Sequence, residues 1–450
     1  MLGFSKKLSK KFSELYSAQQ LEATAKESGF MKRRTKLSPA MFLDTLLFNE
    51  FDNSMVSLND HSFDLQLKHN VQVRKQSLHQ RFNAESVKFV HTLLAQHLEQ
   101  QINQTINTAA LKCFSSVKIK DSTRFGIPPN LKDVYPGTGG SALAAGVHVQ
   151  FEFNLKDGRV SDINPTDALR QDQADASETL EDIETGSLII RDLGYFSTNV
   201  FQQISQRKAY FISRLHPRVN VYELKQGDYQ LLDLKKVHSK MKQRGIDNME
   251  LEVFVGGKLK VPVRLFIELM PQDQVSKRMQ RATRQASRKG DTLSKAYKTY
   301  ASLNLFITNV GAEQLAGKHI RTLYRLRWQI ELRFKCFKGL CKLHAIKKMN
   351  YYRFETYLYG CLLYILLNWE IAVNLISLSW KATGRMLSMY KCYKALKQSC
   401  HWLREALFNA GKGLHDYLQV LYSSIPNLLL EKRKEHLSQE EILLLKLEIK

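Results

Sequence analysis

The segment Thr356–Trp380 restricts the possible folds of this chain most strongly, because it contains a single charged residue, Glu370. A helix of this length and composition can cross a lipid bilayer. A helix buried in the core of a large domain looks the same in the sequence. The polar residues Asn368, Glu370 and Asn374 within the segment favour the core helix. We therefore predict a buried helix and no membrane partner, with a membrane-anchored basic protein as a rival interpretation.

The charge balance of the chain indicates what kind of partner it binds. Lys and Arg number 67 against 43 Asp and Glu, which gives a formal net charge of +24 in 450 residues. A positive field of this size attracts polyanions, such as a nucleic acid backbone or an anionic membrane surface. Hydrophobic residues make up 44% of the chain, which excludes disorder along its whole length. The six cysteines are too sparse for a disulfide scaffold and predict a reducing cytoplasm.

Residues 1–112 are predicted to form a helical N-terminal domain. Within it, Ser57–Lys68 and Val73–Phe82 have the pattern of two short helices with a tight connection, and the second is rich in Arg, Lys, Gln and His. This pair fits a DNA-binding helix-turn-helix. An ordinary helical hairpin with a solvated polar face fits it equally well. The cations of this pair that we predict to contact DNA are Arg74, Lys75 and Arg81.

Residues 113–215 alternate between strands and helices. The predicted strands are Val117–Asp121, 145–155, 159–163, Ser187–Ile190 and Tyr210–Leu215, with helices at 168–183 and from about 197. This order predicts an α/β layer architecture. Residues 301–380 add the strand Leu303–Thr308 and further helices, and residues 381–450 are predicted to be helical.

Residues 216–300 interrupt this alternation with a β-rich insertion. The stretches 219–237 and 249–270 are predicted to be rich in strands, with a hairpin turn at Gly256 and Gly257. The run Lys277–Lys298 that follows is a basic helix or loop with eight Lys and Arg residues. A solvated face is the ordinary explanation for such a run. The DNA contacts that we predict there as the alternative are Arg281, Arg284 and Arg288.

Three acidic residues stand out by their positions. Asp121 lies at the end of the first predicted strand, Asp192 follows the apolar strand, and Glu331 lies on a later helix. Ligands collect at the carboxyl ends of the strands in α/β sheets, so these carboxylates are expected to come together. Three carboxylates make an oxygen site for Mg²⁺ or Mn²⁺, and two such ions could cleave a phosphodiester. A lone aspartate at a strand end is more often a helix cap or a solvated turn residue.

The helix around Glu331 carries a polar stripe. At 100° per residue, four polar residues fall within about 60° of one another, and the apolar residues form a separate stripe. The polar stripe consists of Tyr324, Arg327, Glu331 and Lys338, and the apolar stripe of Leu323, Leu326, Ile330, Phe334 and Phe337. A carboxylate between cations suits a metal ion beside a phosphate backbone. An ion pair between Arg327 and Glu331 on an exposed helix would give the same pattern and would stabilise the fold little.

These residues resemble a known family. The polar stripe has the spacing Tyr-x2-Arg-x3-Glu-x6-Lys, which is similar to the YREK signature of bacterial insertion-sequence transposases of the group called insertion-sequence family four. The segment Asp121–Thr123 resembles the first acidic motif of that family, and Asp192–Phe196 resembles the second. The three motifs occur in the family's order, and the resemblance covers about residues 35–375.

The resemblance implies a fold. The catalytic core would be α/β and ribonuclease H-like, a mixed sheet flanked by helices, with residues 113–215 as its first part and residues 301–380 as its second. The β-rich insertion 216–300 would separate the two parts. A helical DNA-binding domain would precede the core at 1–112, and a helical region would follow it at 381–450.

The resemblance also implies an activity. Such a transposase binds the terminal inverted repeats of an insertion sequence, cleaves DNA by two-metal phosphodiester hydrolysis and joins the 3′-OH ends to target DNA. Its cofactors would be two Mg²⁺ ions per active site, with Mn²⁺ as the alternative. Its partners would be double-stranded DNA and a second copy of the chain in the paired-end complex. Its place would be the bacterial cytoplasm, in association with the nucleoid.

The roles of individual residues follow from the same resemblance. Asp121, Asp192 and Glu331 would be the catalytic metal ligands. Tyr324, Arg327 and Lys338 would hold DNA near the scissile phosphate. The rival function is a catalytically silent DNA-binding inhibitor derived from a transposase, and the presence of all three acids argues against it.

Two features leave alternatives open. Some members of the family stack a flipped base on a tryptophan in the insertion, and residues 216–300 contain none. Tyr222, Tyr229 or Phe254 would then have to take that role. At the end of the chain, Ser438–Glu441 has the pattern of a capping box before a leucine-rich helix. This helix would be a dimer contact or would pack on its own core.

Overall fold

The computed structural model of the chain describes residues 2–48, 57–103, 105–106, 108, 111–139, 144–288, 290–293, 295–341, 346–408 and 413–431. These residues fall into two compact units. The first unit lies within residues 1–106, 122–170 and 329–440, and the second lies within residues 107–121 and 171–328. The capping box at Ser438–Glu441 and the helix predicted after it lie outside the described residues.

The described helices are numbered in chain order. The first unit begins with α1 (Leu2–Leu15), α2 (Ala18–Glu27), α3 (Pro39–Leu47), α4 (Leu58–His69), α5 (Lys75–Arg81) and α6 (Ala84–Glu99). The second unit contains α7 (Asp172–Glu178), α8 (Thr198–Gln206), α9 (Leu234–Arg244), α10 (Gln272–Ser287), α11 (Lys295–Ala301) and α12 (Gly317–Tyr324). The helices after these are α13 (Trp328–Cys341), α14 (Tyr351–Thr383), α15 (Met389–Gln398), α16 (Cys400–Phe408), α17 (Leu414–Ser423) and α18 (Ile425–Leu428). The unit boundary falls after the first residue of α13, and the rest of this group belongs to the first unit.

Ten strands are described, and they form a mixed sheet. They are β1 (Val117–Gly126), β2 (Gly146–Asn154), β3 (Val160–Asp167), β4 (Leu188–Arg191), β5 (Tyr210–Arg214), β6 (Val221–Lys225), β7 (Asp228–Leu231), β8 (Asn248–Val255), β9 (Val261–Leu269) and β10 (Leu303–Thr308). In the second unit the order is β1-β4-β5-β10-β9-β8-β6-β7, and in the first it is β3-β2-β1, because β1 contributes one part to each unit. The strands β1, β4 and β5 are parallel to one another. The neighbouring strands in the order β5-β10-β9-β8-β6-β7 are antiparallel.

The core of the second unit lies against one face of its sheet. Apolar side chains of β4, β5, β8, β9 and β10 pack there with those of α8 and α9. Phe201 of α8 stacks on Phe211 of β5 with ring centroids 4.3 Å apart, and Met241 of α9 is completely buried. Burial of such large apolar groups is the main stabilising term of an α/β layer.

The core of the first unit is built around α14. This helix has the length and composition of a membrane span, and 94% of its most apolar stretch is buried inside the structure. It packs against α3 and α6. Trp369 is 1% exposed, and its Nε1 donates a hydrogen bond of 2.7 Å to the carbonyl of Gly158 in the β2–β3 turn. The apolar faces of α14 are thus covered by protein.

Glu370 of α14 is fully buried and has its partners inside the first unit. Lys11 Nζ lies 2.5 Å from its Oε2, His97 Nε2 lies 2.8 Å from the same atom, and the N–H of Ile102 donates to Oε1 at 2.7 Å. The hydroxyl of Tyr16 lies 2.8 Å from His97 Nδ1. A neutral imidazole satisfies both contacts, donating from Nε2 to the carboxylate and accepting from Tyr16 at Nδ1. These contacts favour the core helix that the sequence predicted.

The α/β fold class predicted from the sequence is confirmed, and individual elements differ in extent. The strand predicted at 303–308 is confirmed at both ends. The helix predicted at 168–183 is shortened to α7. The prediction of strand-rich structure through residue 237 was wrong at its end, because α9 begins at Leu234. Asp233 caps this helix by accepting hydrogen bonds from the N–H groups of Lys235 and Lys236. The predicted domain boundaries stay a prediction.

Candidate active site

Asp121 and Asp192 lie next to one another in the sheet of the second unit. The strands β1 and β4 are parallel, and their register pairs Lys120 with Arg191. Asp121 is the next residue of β1, and Asp192 is the first residue after β4. Their side chains are 15% and 45% exposed, respectively. The structure thus brings together two of the three acids that the sequence singled out.

Arg327 links these two carboxylates. Its Nη1 donates to Asp121 Oδ2 at 2.6 Å, and its Nε lies 3.7 Å from Asp192 Oδ1. The Arg327 side chain is itself only 9% exposed. The planar guanidinium offers several donors in a fixed geometry, which lets one side chain hold two acids. Arg327 thereby offsets the repulsion between two neighbouring carboxylates.

Tyr324 completes the cluster. Its hydroxyl donates to Asp192 Oδ1 at 3.4 Å, and its ring meets Phe306 edge-on at 5.3 Å. Burial, and then the charge of Asp192, raise the pKa of Tyr324 well above its usual value. The hydroxyl therefore keeps its proton at physiological pH and remains a hydrogen-bond donor.

The helix that carries these residues is interrupted, which corrects the prediction of one continuous helix over 324–338. The helix α12 ends at Tyr324, a 3₁₀ turn covers Arg325–Arg327, and α13 begins at Trp328. A 3₁₀ turn has three residues per turn, so the angles calculated at 100° per residue do not hold across it. Tyr324 and Arg327 nevertheless lie on one side, because both contact Asp192. Residues 325–328 contain no Gly or Pro that would have indicated the break.

Both the apolar and the polar stripe of the prediction contain buried residues. The apolar residues Leu323, Leu326, Ile330 and Phe334 are buried as predicted, and the side chain of Phe337 lies outside the described residues. In the polar stripe, Tyr324 and Arg327 are also buried, at 8% and 7% exposure. Their partners are acids of β1 and of the segment after β4.

Glu331 and Lys338 lie on α13, in the part that belongs to the first unit. Glu331 is half-buried in the first turn, where a carboxylate compensates the helix dipole. Lys338 is half-buried and lines a small cavity with Thr123, Phe125, Phe334 and other apolar side chains. Asp121, Asp192, Tyr324 and Arg327 by contrast meet within the second unit.

The chemistry of the acid pair fits a hard divalent cation. Carboxylate oxygens are the donors that Mg²⁺ and Mn²⁺ prefer. Asp121 and Asp192 approach one guanidinium from two strands, so both are directed at a common positive charge. Within the described part of the chain, no group of three or more His, Cys, Asp and Glu residues is arranged to hold a metal ion. The acid pair would therefore need a further ligand.

The sequence analysis missed the two cations that precede the acids. Lys120 and Arg191 are 0% and 6% exposed and contact α7. A signal for them was present in the sequence, because each acid is directly preceded by a cation.

The predicted helix-turn-helix segment consists of α4 and α5. Ser57 and Asp60 form the capping box of α4, and Asn70 ends it with a φ of 53°, which an asparagine tolerates better than most residues. Arg74 and Lys75 are exposed at the start of α5. Arg81 is half-buried, and its Nη2 donates to Thr35 Oγ1 at 2.8 Å. Two of the three predicted cations are thus free to meet a partner in solution.

The basic run 277–298 begins as a helix. In α10, Lys277, Arg281 and Arg284, with Arg288 directly after it, are exposed. At 100° per residue they lie within about 60° of one another. Arg278 lies outside this stripe, and its guanidinium donates to the carbonyl of Leu303 at 3.0 Å and to Asn304 Oδ1 at 3.0 Å. These bonds fix α10 to β10 and leave the stripe on the surface.

The sequence analysis also missed a second basic helix. The exposed cations of α9 are Lys235, Lys236, Lys240, Lys242 and Arg244. The helix α11 packs against both α9 and α10. Asp233 as a helix cap, followed by a lysine-rich stretch, was the sequence signal that could have identified α9.

The aromatic candidates for base stacking lie together. Tyr229 of β7 meets Phe254 of β8 edge-on at 4.9 Å, and Lys260 Nζ lies 3.8 Å from the centre of the Tyr222 ring. Tyr229 is 46% exposed at the edge strand of the sheet. The role of these side chains stays a prediction.

The chain is similar to known proteins over most of its length. The family described as transposase DDE domain matches residues 112–367. The transposase for insertion sequence element IS231B of Bacillus thuringiensis subsp. berliner is 28% identical over 431 residues, which cover 92% of this chain and 89% of that protein. The transposase for insertion sequence element IS1151 of Clostridium perfringens is 26% identical over 438 residues, or 94% and 92% of the two chains.

A solved structure is similar at a lower level. The piggyBac transposase in a synaptic complex with hairpin DNA matches with a TM-score of 0.43 and 12% identity, covering 97% of this chain and 87% of that chain. This structural similarity is too low to assign the fold.

Proposed function

Because this chain belongs to the family of transposases with a DDE domain, we propose that it binds the terminal inverted repeats of an insertion sequence, cleaves the DNA there and joins the 3′-OH ends to target DNA. It is an insertion-sequence transposase, in keeping with its similarity to two such enzymes. The observation that carries the proposal is the acid pair Asp121 and Asp192, which directly follow the last paired residues of the parallel strands β1 and β4 and are linked by Arg327. We take the α/β sheet with its flanking helices as a ribonuclease H-like core that carries a β-rich insertion.

Asp121, Asp192 and Glu331 are the proposed catalytic carboxylates. Members of this family depend on divalent metal ions, and the acids would hold two Mg²⁺ ions or, alternatively, Mn²⁺. Such ions, when bound, supply an activated water or hydroxyl and stabilise the leaving oxygen of the phosphodiester. Glu331 lies four residues after Arg327, at the position of the glutamate in the YREK signature that this segment resembles, which is our reason to add it as the third acid.

Arg327, Tyr324 and Lys338 are the proposed phosphate contacts of the site. The guanidinium of Arg327 can exchange a carboxylate for a phosphate oxygen, since it binds both in the same bidentate way. Tyr324 offers a hydroxyl that remains protonated. Lys338 offers a mobile point charge. The burial of Tyr324 and Arg327 before DNA binds limits the access of water to these two groups.

We propose two further DNA contacts on the surface of the chain. Arg74 and Lys75 of α5 are exposed beside the glutamine and histidine side chains that such a helix uses to read bases. Arg281, Arg284 and Arg288 form part of the stripe on α10, which suits a phosphate backbone. Arg81 is expected to contribute less to DNA binding, because its guanidinium is hydrogen-bonded to Thr35.

The α5 contact can be tested by salt dependence. The double variant Arg74→Ala and Lys75→Ala is expected to lower the slope of log affinity against log salt by about 2, since each phosphate contact accounts for about 0.9. Lys88→Ala, which removes an exposed cation from α6, is the matched control. An unchanged slope in the double variant would exclude α5 as the binding helix.

The enzyme is expected to act in the cytoplasm, in association with the nucleoid, where its DNA lies. It is expected to work as a homodimer that pairs the two ends of its element. Chromatography of the complex with end DNA would show two chains and two ends.

The test of the proposed function is cleavage of DNA that carries the ends of the element. Purified protein with Mg²⁺ should nick that DNA to leave a 3′-OH and should join the ends to a target plasmid, and EDTA should stop both reactions. Binding without cleavage in Mg²⁺ and in Mn²⁺ would favour the rival function, a catalytically silent DNA-binding inhibitor. The presence of the acid pair and of Glu331 speaks against that rival.

A further inference from the structure

The residues directly before the two proposed catalytic aspartates form a layer of their own. Lys120 and Arg191 face one another in the register of β1 and β4. Successive side chains of a strand point to opposite faces of a sheet. Lys120 and Arg191 therefore lie on the opposite face from the side on which Asp121 and Asp192 emerge. Both cations are buried, at 0% and 6% exposure.

Both cations contact the same helix, α7. Lys120 Nζ lies 2.5 Å from Asp175 Oδ2, and Asp175 is 1% exposed. Arg191 Nη1 donates to the carbonyl of Ala176 at 3.4 Å. Thr179 follows the helix, and its hydroxyl accepts from Lys120 and from Arg191, at 3.4 Å in each case. The same hydroxyl donates to the carbonyl of Asp175 at 2.9 Å, which fixes its orientation.

This arrangement is costly if its only task is stability. Removing a lysine and an arginine from water costs several kcal/mol for each ion, and well-packed apolar residues would avoid that cost. A network with fixed hydrogen-bond geometry instead provides a defined position. The position that it defines is that of Lys120 and Arg191, the paired residues that Asp121 and Asp192 directly follow.

We propose that Asp175 and Thr179 are positioning residues of the metal site. Through Lys120 and Arg191 they fix the last paired residues of β1 and β4 relative to each other, so that the carboxylates of Asp121 and Asp192 stay directed at one cation. The inference rests on the proposed function, in which these two aspartates bind the metal. Asp175 and Thr179 themselves touch neither the metal nor the DNA.

The position of the carboxylates matters for metal binding because a divalent ion tolerates little error in its ligand distances. Mg²⁺ in particular requires near-ideal octahedral geometry at about 2.0–2.1 Å. If β1 shifted relative to β4, the carboxylate of one aspartate would keep its charge nearby but would lie too far from the ion to bind it. Loss of the α7 contacts is therefore expected to weaken metal binding in a protein that remains folded.

The test measures Mn²⁺ binding by the full-length protein without DNA, by electron paramagnetic resonance. Asp175→Asn keeps the shape of the side chain and removes its charge, and Thr179→Val removes the shared hydroxyl. We expect Mn²⁺ to bind about tenfold more weakly to Asp175→Asn and several-fold more weakly to Thr179→Val. Glu181→Gln is the matched control, because this exposed acid follows α7 in the same unit. It should bind Mn²⁺ as the wild type does.

Two further measurements separate positioning from a purely structural role. Thermal unfolding shows whether each variant is folded at the temperature of the titration, and Asp175→Glu, which keeps the charge, should recover most of the affinity. If Asp175→Asn does not fold, Thr179→Val decides the question. A purely structural role would lower the unfolding temperature and leave the Mn²⁺ affinity of the folded protein unchanged.

The outcomes distinguish this inference from the proposed function. If the wild type binds Mn²⁺ and Asp192→Asn does not, while both folded α7 variants bind it as the wild type does, the positioning role is wrong and the metal site stands. If Asp192→Asn binds Mn²⁺ like the wild type, the metal site is wrong and the inference falls with it.

Discussion

The regions around Glu370 and around Arg327 both pair carboxylates with cations, but only one of them is closed to solvent. Around Glu370, the acid accepts from Lys11, from His97 and from a backbone N–H, and its side chain is 0% exposed. Around Arg327, one guanidinium serves two acids, of which Asp192 is 45% exposed. The carboxylate of Glu370 is thus hydrogen-bonded only to groups within the folded chain among the contacts described. The region around Arg327 leaves a carboxylate accessible to solvent, and therefore to a metal ion or a phosphate.

The comparison teaches where a buried charge is structural. A charge that is enclosed with its partners can contribute to the specific packing of a core and offers nothing to a ligand. A cluster whose cation can be exchanged is a site for chemistry. Substitutions in the two regions should therefore differ in effect: those around Glu370 should change stability alone, and those around Arg327 should also change metal binding.

The largest effect on stability is expected at Glu370. Glu370→Ala leaves Lys11 buried without its carboxylate, which should cost about 3–5 kcal/mol of unfolding free energy. Urea unfolding of the variant measures it. The double variant Lys11→Met and Glu370→Leu should recover most of the loss, because no charge then remains buried. A loss below about 1 kcal/mol in Glu370→Ala would show that this network is not enclosed as described.

A smaller effect is expected at Arg327. Arg327→Ala removes a short charged hydrogen bond to Asp121 and should cost about 1.5–3 kcal/mol. Added Mn²⁺ should raise the unfolding temperature of this variant more than that of the wild type, because the two acids then lack their cation. Arg325→Ala, in the same 3₁₀ turn, is the control. Equal stabilisation of all three proteins by Mn²⁺ would mean that Arg327 and the metal do not share the acids.

The smallest effect is expected from pH at the Glu370 region. Burial lowers the pKa of His97, and it raises the pKa of Glu370, but the His97 hydrogen bond and the charge of Lys11 outweigh burial and lower the pKa of Glu370 in sum. Both groups therefore bind protons more readily in the unfolded chain, and acid favours unfolding. The His97 contribution is complete above about pH 6.5 and is lost as the pH falls below it, and Glu370 adds its loss below about pH 4.3.

The pH prediction is measured by urea unfolding at pH 7.5 and pH 5.5. The wild type should be less stable at the lower pH, and His97→Gln should show a smaller difference between the two. An equal difference in both proteins would mean that His97 is not part of this response.

The sequence predicted much of the second region and little of the first. Asp121 and Asp192 were recognisable because each lies at the end of a short predicted strand, and such positions meet in a sheet. The strand β1 itself continues past Asp121 to Gly126. The partners of Glu370 were not recognisable, because Lys11 and His97 lie far away along the chain and only tertiary packing brings them together. The same limit applies to Asp175, whose contact with Lys120 depends on the position of α7 on the sheet.

Local geometry explains the other differences. The polar stripe was calculated for a regular α-helix. The residue types of the 3₁₀ turn at Arg325–Arg327 give no sign of the interruption. The helix α9 was overlooked because apolar residues on both sides of Asp233 suggested strands. The prediction of a short single strand at Leu303–Thr308 was confirmed by β10.

DNA cleavage should depend on the two aspartates linked by Arg327, which are proposed to hold the metal ions. Cleavage of DNA with the ends of the element is measured in Mg²⁺ for Asp192→Asn and for Glu181→Gln, together with the affinity of each protein for the same DNA. Asp192→Asn should lose cleavage by about a thousandfold or more while it still binds the DNA, and Glu181→Gln should cleave normally. Cleavage by Asp192→Asn at the wild-type rate would contradict this dependence.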